Sequence, residues 1–142
     1  MNVSAKTEYA CIAILELAAR YHSTAPARVR DLAETHNIPS RFLVQILLQM
    51  KASGLVVSTR GKTGGYHLLR PPHKITLAEI MNAVNGPSNG NQEAGRKKSP
   101  AARTLRQVWD EARQAEQQVL ESVTVAELLD HSHPSSGSMY YI

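Results

Sequence analysis

The sequence predicts a mainly α chain with one small β-hairpin, built as a head of short helices followed by a long C-terminal helix. Three observations carry this expectation. Apolar residues recur at helical spacing in three short segments before Gly54; two runs of β-propensive residues flank the glycine-rich stretch Arg60-Gly61-Lys62-Thr63-Gly64-Gly65; and apolar positions between Leu105 and Val119 alternate spacings of three and four.

Taken in order, Ser4 is placed to cap a helix from about Ala5 to Tyr21, with Ile12, Ile14, Leu15, Leu17 and Ala18 as its apolar surface. After the loop Ser23-Thr24-Ala25-Pro26, the positions Val29, Leu32 and Ala33 mark a short second helix ending near Thr35. His36-Asn37-Ile38-Pro39-Ser40 reads as a tight turn, with Ser40 as N-cap of a third helix whose inner stripe is Leu43, Ile46, Leu47 and Met50. Lys51 in its last turn and Gly54 just beyond supply a stop. Leu55 to Thr59 and Tyr66 to Arg70 then form the two strands of the hairpin. Pro71-Pro72 ends the second strand, because proline has no N–H to give a ladder, and Thr76 caps a fourth helix running through Ala78, Ile80, Met81 and Val84 to Gly86.

The head is expected to close at residue 86. Residues 87–102, with Pro87, Gly90 and the basic run Arg96-Lys97-Lys98, read as a linker. A long helix follows from about Pro100 to Ser122, with the seam Leu105, Val108, Ala112, Ala115 and Val119 flanked by Trp109 and Val123. Such a stripe asks for a partner helix, so Leu105, Val108, Trp109, Ala112, Ala115 and Val119 are the candidate dimerisation residues. The main dimerisation unit spans 103–130, including one final helical turn opened by the capping box Thr124-Val125-Ala126-Glu127, and residues 131–142 are expected to be a flexible tail.

Composition narrows the function classes. A chain of 142 residues with 42% apolar and 20% charged residues can bury one ordinary core. It shows neither a secretory leader nor an apolar run approaching about 18 residues, so a soluble cytoplasmic protein without a membrane partner is expected. Cys11 is the single cysteine, which rules out an intrachain disulfide and a multi-cysteine metal site within one chain. Residues 1–86 hold ten Lys/Arg against five Asp/Glu, whereas 87–142 hold six against seven. A cationic head on a near-neutral extension fits a polyanion-binding unit joined to an assembly segment, and also fits a plain solvated basic surface.

Three helices followed by a glycine-tipped hairpin is the element order of a winged helix-turn-helix. Its third helix suits the width of a DNA major groove, and its hairpin tip reaches the neighbouring backbone or minor groove. Arg41, Gln45 and Gln49 recur every four residues along the third helix, and arginine and glutamine can each offer paired hydrogen bonds to a base edge. The same stripe could merely solvate an amphipathic helix. At the tip, Arg60 and Lys62 stand among glycines that permit close approach to phosphates. An ordinary basic turn would look similar in isolation but would not account for the three helices before it.

The chain resembles the Rrf2 family of bacterial regulators, the IscR, NsrR and CymR group. The residues that carry the likeness are Ala5-Lys6-Thr7-Glu8-Tyr9-Ala10, Ile38-Pro39-Ser40-Arg41-Phe42-Leu43-Val44-Gln45-Ile46-Leu47, Gly54-Leu55-Val56, Arg60-Gly61-Lys62-Thr63-Gly64-Gly65-Tyr66, Arg70-Pro71-Pro72, Ile75-Thr76 and Ala83-Val84-Asn85-Gly86. The resemblance implies that the third helix reads the major groove, that Arg60 probes the minor groove, that Lys6 and Tyr9 touch the backbone, and that the long helix crosses its partner in a homodimer. Ser40 and Tyr66, within the same motifs, complete the candidate DNA-binding set. Family members that bind an iron-sulfur cluster carry three cysteines between the fourth helix and the dimerisation helix, and residues 87–102 here contain none. The resemblance is therefore to a cluster-free member, with no cofactor expected and the signal left open between a small molecule, a partner protein and none.

Rival readings are weaker. Gly61-Lys62-Thr63 ends like a phosphate-binding loop, but Val56 stands where the first glycine is needed and a strand rather than a helix follows. His131 and His133 invite a metal-responsive reading, although tail histidines are usually solvated, and Cys11 between Ala10 and Ile12 suits a core thiol better than a redox switch. The expectation is a non-enzymatic, sequence-specific DNA-binding regulator, a repressor acting as a homodimer on a near-palindromic operator. A winged-helix protein-docking module and a metal-responsive regulator are the alternatives.

Overall fold

The computed structural model describes residues 1–86 and 99–132. In chain order these form α1 (Ala5–Ala19), α2 (Val29–His36), α3 (Ser40–Ala52), β1 (Val56–Thr59), β2 (Gly65–Leu68), a 3-10 turn at Pro72–Lys74, α4 (Leu77–Asn85), α5 (Pro100–Ser122) and α6 (Val125–Ser132). The mainly α class with one hairpin, expected from periodicity, is the observed one.

α1 and α4 begin where a side chain satisfies free N–H groups of the first turn. The Ser4 hydroxyl accepts from the Thr7 N–H at 3.2 Å, and Thr76 and Glu79 form a reciprocal capping box on α4. α3 differs from expectation. Pro39 occupies the N-cap position and Ser40 is already helical, with no side-chain cap bond. Asn37, in the left-handed region at φ 53°, has by then ended α2 and reversed the chain, and Pro39 supplies a backbone dihedral suited to the turn.

The core lies between α1, α2, α3 and α4. Leu43, Ile46, Leu47 and Met50, the stripe read from spacing on α3, are fully buried together with Ala10, Ala13, Ile14 and Leu17 of α1 and Ile80 and Val84 of α4. Two polar links tie the helices. The buried Thr7 hydroxyl accepts from Asn85 Nδ2 at 2.9 Å, joining α1 to α4, and Glu16 on α1 holds His36 of α2 at 2.8 Å and Arg20 at 2.9 Å.

β1 and β2 pair antiparallel in the register Val56↔Leu68, Val57↔His67, Ser58↔Tyr66 and Thr59↔Gly65. The second strand ends at Leu68, one in-register bond continues from the Leu69 N–H to the Leu55 carbonyl at 2.9 Å, and Arg70 then leaves the sheet for Glu79.

Beyond the expected head at residues 1–86, the C-terminal segment packs back onto the same core. α6 is a two-turn helix of eight residues rather than a single turn, and it packs on α1 and the 3-10 turn. Val125 is fully buried in the head core, the Val125 N–H donates to the Ile75 carbonyl at 2.8 Å, and the Leu77 N–H donates to the Val123 carbonyl at 2.9 Å. An apolar valine and two backbone groups that would otherwise be unpaired thus make residues 123–132 part of the first unit. α5 also begins inside the span read as a linker, since Ser99 caps it and Pro100 suits a first helical turn. Residues 87–98 of that linker, and 133–142 of the tail, lie outside the described residues, whereas His131 and Ser132 belong to α6.

Candidate nucleic-acid interface

α3 is amphipathic, so burying Leu43, Ile46, Leu47 and Met50 turns the opposite face outward. That face carries Ser40, Arg41 and Gln45, all exposed. Gln49, one turn further, sits differently. It is half-buried and its Oε1 is buried without a hydrogen-bond partner, so its amide is drawn in toward the protein rather than standing in line with Arg41 and Gln45. Tyr9 of α1 stacks at a tilt against Phe42 in the first turn of α3, with ring centroids 6.4 Å apart, which sets the half-buried Tyr9 beside the start of that helix. Lys6, one turn back along α1, is also half-buried.

The wing is fastened at three points. Lys51 Nζ at the end of α3 donates to Ser58 Oγ in β1 at 2.7 Å. Ala27, in the loop before α2, pairs with Tyr66 through two backbone hydrogen bonds of 3.0 and 2.8 Å, adding a single bridge alongside β2. Beyond the strand, Arg70 grips Glu79 through bonds of 2.6 and 3.1 Å and also donates to the Lys74 carbonyl. The Arg70 hydrogen bonds, opposed by partial burial and aided by the Thr76 N–H, hold the Glu79 carboxyl below its ordinary range.

Two glycines are required by packing. A Cβ at Gly65 would lie 2.3 Å from the Ala27 carbonyl oxygen, and one at Gly64 would lie 2.2 Å from the Thr59 carbonyl oxygen. The Gly64 N–H also closes the tip turn on the Gly61 carbonyl at 3.0 Å. Arg60 and Lys62 project from that tip, exposed, and among the described residues neither they nor Arg41 and Gln45 engage a protein partner. Tyr66, by contrast, is half-buried and packs against the core, one strand pair in from the tip.

Two further residues share the exposed face of α3 and were not singled out from composition or charge. Val44 and Leu48 are 42% and 53% exposed and stand one turn apart beside Arg41 and Gln45. Helical spacing was the signal that could have found them, since each lies three or four positions from Arg41 or Gln45.

On α5, Leu105, Val108, Trp109, Ala112, Ala115 and Val119 are all exposed, and among the described residues Leu120 is the one residue of this helix that is buried. A cleft of about 600 Å³ opens between α4 and α5, lined by Ala78, Met81, Asn82, Asp110, Gln114 and Leu120 among others. Arg113 on its edge pairs with Asp110.

The Rrf2 family model, described as an iron-dependent transcriptional regulator, matches residues 3–131. The HTH-type transcriptional regulator CymR of Bacillus subtilis is 32% identical over 143 residues, covering all of both chains. Among solved structures, T. potens IscR superposes with a TM-score of 0.79 at 28% identity over 99% of this chain and 97% of that one, and B. subtilis CymR, described as the global cysteine regulator, with 0.78 at 30% identity over 92% and 98%. The iron named in the family description does not fit the donors present. Cys11 is the only thiol in the sequence; it packs against the core on α1, where burial and then the nearby Glu8 push it up to about 11, and a cluster needs several thiolates. Among the described residues no three His, Cys, Asp or Glu side chains gather closely enough to hold a metal ion. No helix of the described residues is long and apolar enough to cross a membrane.

Proposed function

The chain belongs to the Rrf2 family of transcriptional regulators, DNA-binding proteins rather than enzymes, and from that premise we propose a homodimeric repressor that reads a near-palindromic operator without an iron-sulfur cluster. The observation that carries this reading is the unpartnered polar face of α3, Arg41 and Gln45, fastened through Lys51 and Ser58 to a wing whose cationic tip is also unpartnered. In the major groove Arg41 and Gln45 would offer bidentate bonds to guanine and adenine edges, while Ser40, Lys6 and Tyr9 meet the flanking backbone and Arg60 and Lys62 take the neighbouring minor groove and phosphates. Gln49 and Tyr66 would support this surface from behind, given their partial burial.

The exposed seam of α5 supports the dimer. An apolar stripe along a helix of 23 residues is stable in water only when covered, and a second copy of the same helix is self-complementary to it. Two-fold symmetry would then set two half-sites about 34–36 Å apart, one turn of DNA. A small-molecule effector has room in the cleft between α4 and α5, whose volume of about 600 Å³ falls within the range of ligand pockets. Repression follows if the operator overlaps a promoter.

The test is a binding-site selection from random duplexes with the full chain, followed by anisotropy titration on the enriched sequence at several salt concentrations. Enrichment of a two-fold site with steep salt dependence is the expected result. Enrichment of nothing, with no binding at low salt, would refute the reading and favour protein docking.

A further inference from the structure

Arg41, Val44, Gln45 and Leu48 form one contiguous diamond on α3, because each is three or four residues from its neighbours and so adjacent on the helix surface. Two of the four are large apolar side chains, 42% and 53% exposed, set beside an arginine and a glutamine, with Lys51 on the same flank. Val44 and Leu48 lie one helical turn apart, so they adjoin on the helix surface as a pair rather than standing as two scattered exposed side chains. The core gives no reason for them, since α3 already buries Leu43, Ile46, Leu47 and Met50. Phe42, also exposed, differs in having a ring partner in Tyr9.

Resting on the DNA-reading role proposed above, we propose that Val44 and Leu48 are specificity-determining residues that recognise the C5-methyl groups of thymines in the half-site. Of the base edges displayed in the major groove, thymine alone among the four presents an apolar group, and an aliphatic side chain is its complement. The cationic and amide neighbours argue for this occupant over a protein one. Arg41, Lys51 and the wing tip Arg60 and Lys62 would draw a polyanion, whereas an apolar protein surface laid on the diamond would bury Arg41 without a partner. Val44 and Leu48 are one turn apart, about 6 Å along the axis, so their contacts fall within roughly two base-pair steps. The half-site therefore holds one or two thymines, beside the purines read by Arg41 and Gln45, whose methyl groups and not merely whose hydrogen-bonding edges are required.

The experiment starts from the enriched duplex and replaces each thymidine in turn with deoxyuridine, which removes only the methyl group. Affinities are measured for the parent and for Val44→Ala and Leu48→Ala, with thermal unfolding and sedimentation run on all three. At one or two positions the parent should lose about fourfold in affinity, the worth of one methyl withdrawn from water. The corresponding alanine variant should lose nothing further on the uridine duplex, while folding and assembly stay unchanged. Uniform affinity of the parent across all uridine duplexes, with selective binding intact, would overturn the methyl reading and leave the DNA-binding role standing. A change in sedimentation rather than affinity would also overturn it, by showing that a second copy covers the face. Failure to enrich any duplex would instead strike the DNA-binding role itself.

Discussion

Arg60 and Lys62 are exposed at the wing tip and have no partner among the described residues, so replacing either should leave the fold untouched and act on binding alone. Lys62→Ala is expected to weaken affinity uniformly across sequences and to make the logarithmic salt slope shallower by about one, as for a single phosphate contact; titrations at several ionic strengths check this. Gln45→Ala should behave differently. Losing a bidentate contact costs about 1–3 kcal/mol and relaxes preference at one base pair, a change read by repeating the selection with the variant. Two carboxylates bear on stability. Glu79, held low chiefly by its hydrogen bond from Arg70, and Glu16, held low against its own partial burial by bonds from Arg20 and His36, both have folded values below their ordinary 4.5. Groups depressed in this way contribute stability that is complete above the ordinary value and fades as pH falls through it and below. Thermal melts should therefore show a falling midpoint below about pH 4.5, and Glu79→Gln should flatten part of that fall.

At the scale of elements, the wing is a hairpin whose orientation depends on where it is fastened to the head. Gly65 is one such tight point, because a Cβ there would lie 2.3 Å from the Ala27 carbonyl oxygen, where the loop before α2 joins β2. Gly65→Ala should push Ala27 away, break the two backbone bonds to Tyr66, and lower stability by about 1–3 kcal/mol, the cost of overpacking a tight site. Since Arg60 and Lys62 ride on that hairpin, DNA affinity should fall with it, and chemical unfolding alongside titration separates the two effects. The glycine-rich stretch and its flanking strands were legible in the sequence, as were the Ser4 and Thr76 caps, because these depend on residues a few positions apart. The Ala27 bridge was not, since a lone residue between Pro26 and Arg28 shows no strand periodicity and its partner lies 39 positions away.

At the scale of the whole molecule, α6 and the residues before it pack onto the head. Val125→Ala removes two buried methyl groups from the head core and is expected to cost about 2 kcal/mol, measured by denaturant unfolding, although the residue lies far outside the span read as the first unit. A parent-like stability would mean that α6 adds nothing to the head. On the opposite side of α5 the exposed seam predicts assembly. Val108→Glu or Ala115→Glu would bury an unpaired charge between copies and should raise the dimer dissociation constant on the order of a hundredfold or more, seen by sedimentation equilibrium. An undisturbed dimer would place the interface elsewhere.

The amino-acid sequence by itself determined the class of fold, the order of its elements, the inner stripe of α3 and the cationic tip of the wing, because periodicity, caps and turn residues act over a few positions and need no distant partner. Only the tertiary structure decided which of the polar residues on α3 face outward, drawing Gln49 inward while leaving Val44 and Leu48 in the open beside Arg41 and Gln45. It also decided that residues 123–132 return to complete the head. Both outcomes depend on which surfaces meet across long stretches of chain, and burial of that kind leaves no mark in local spacing.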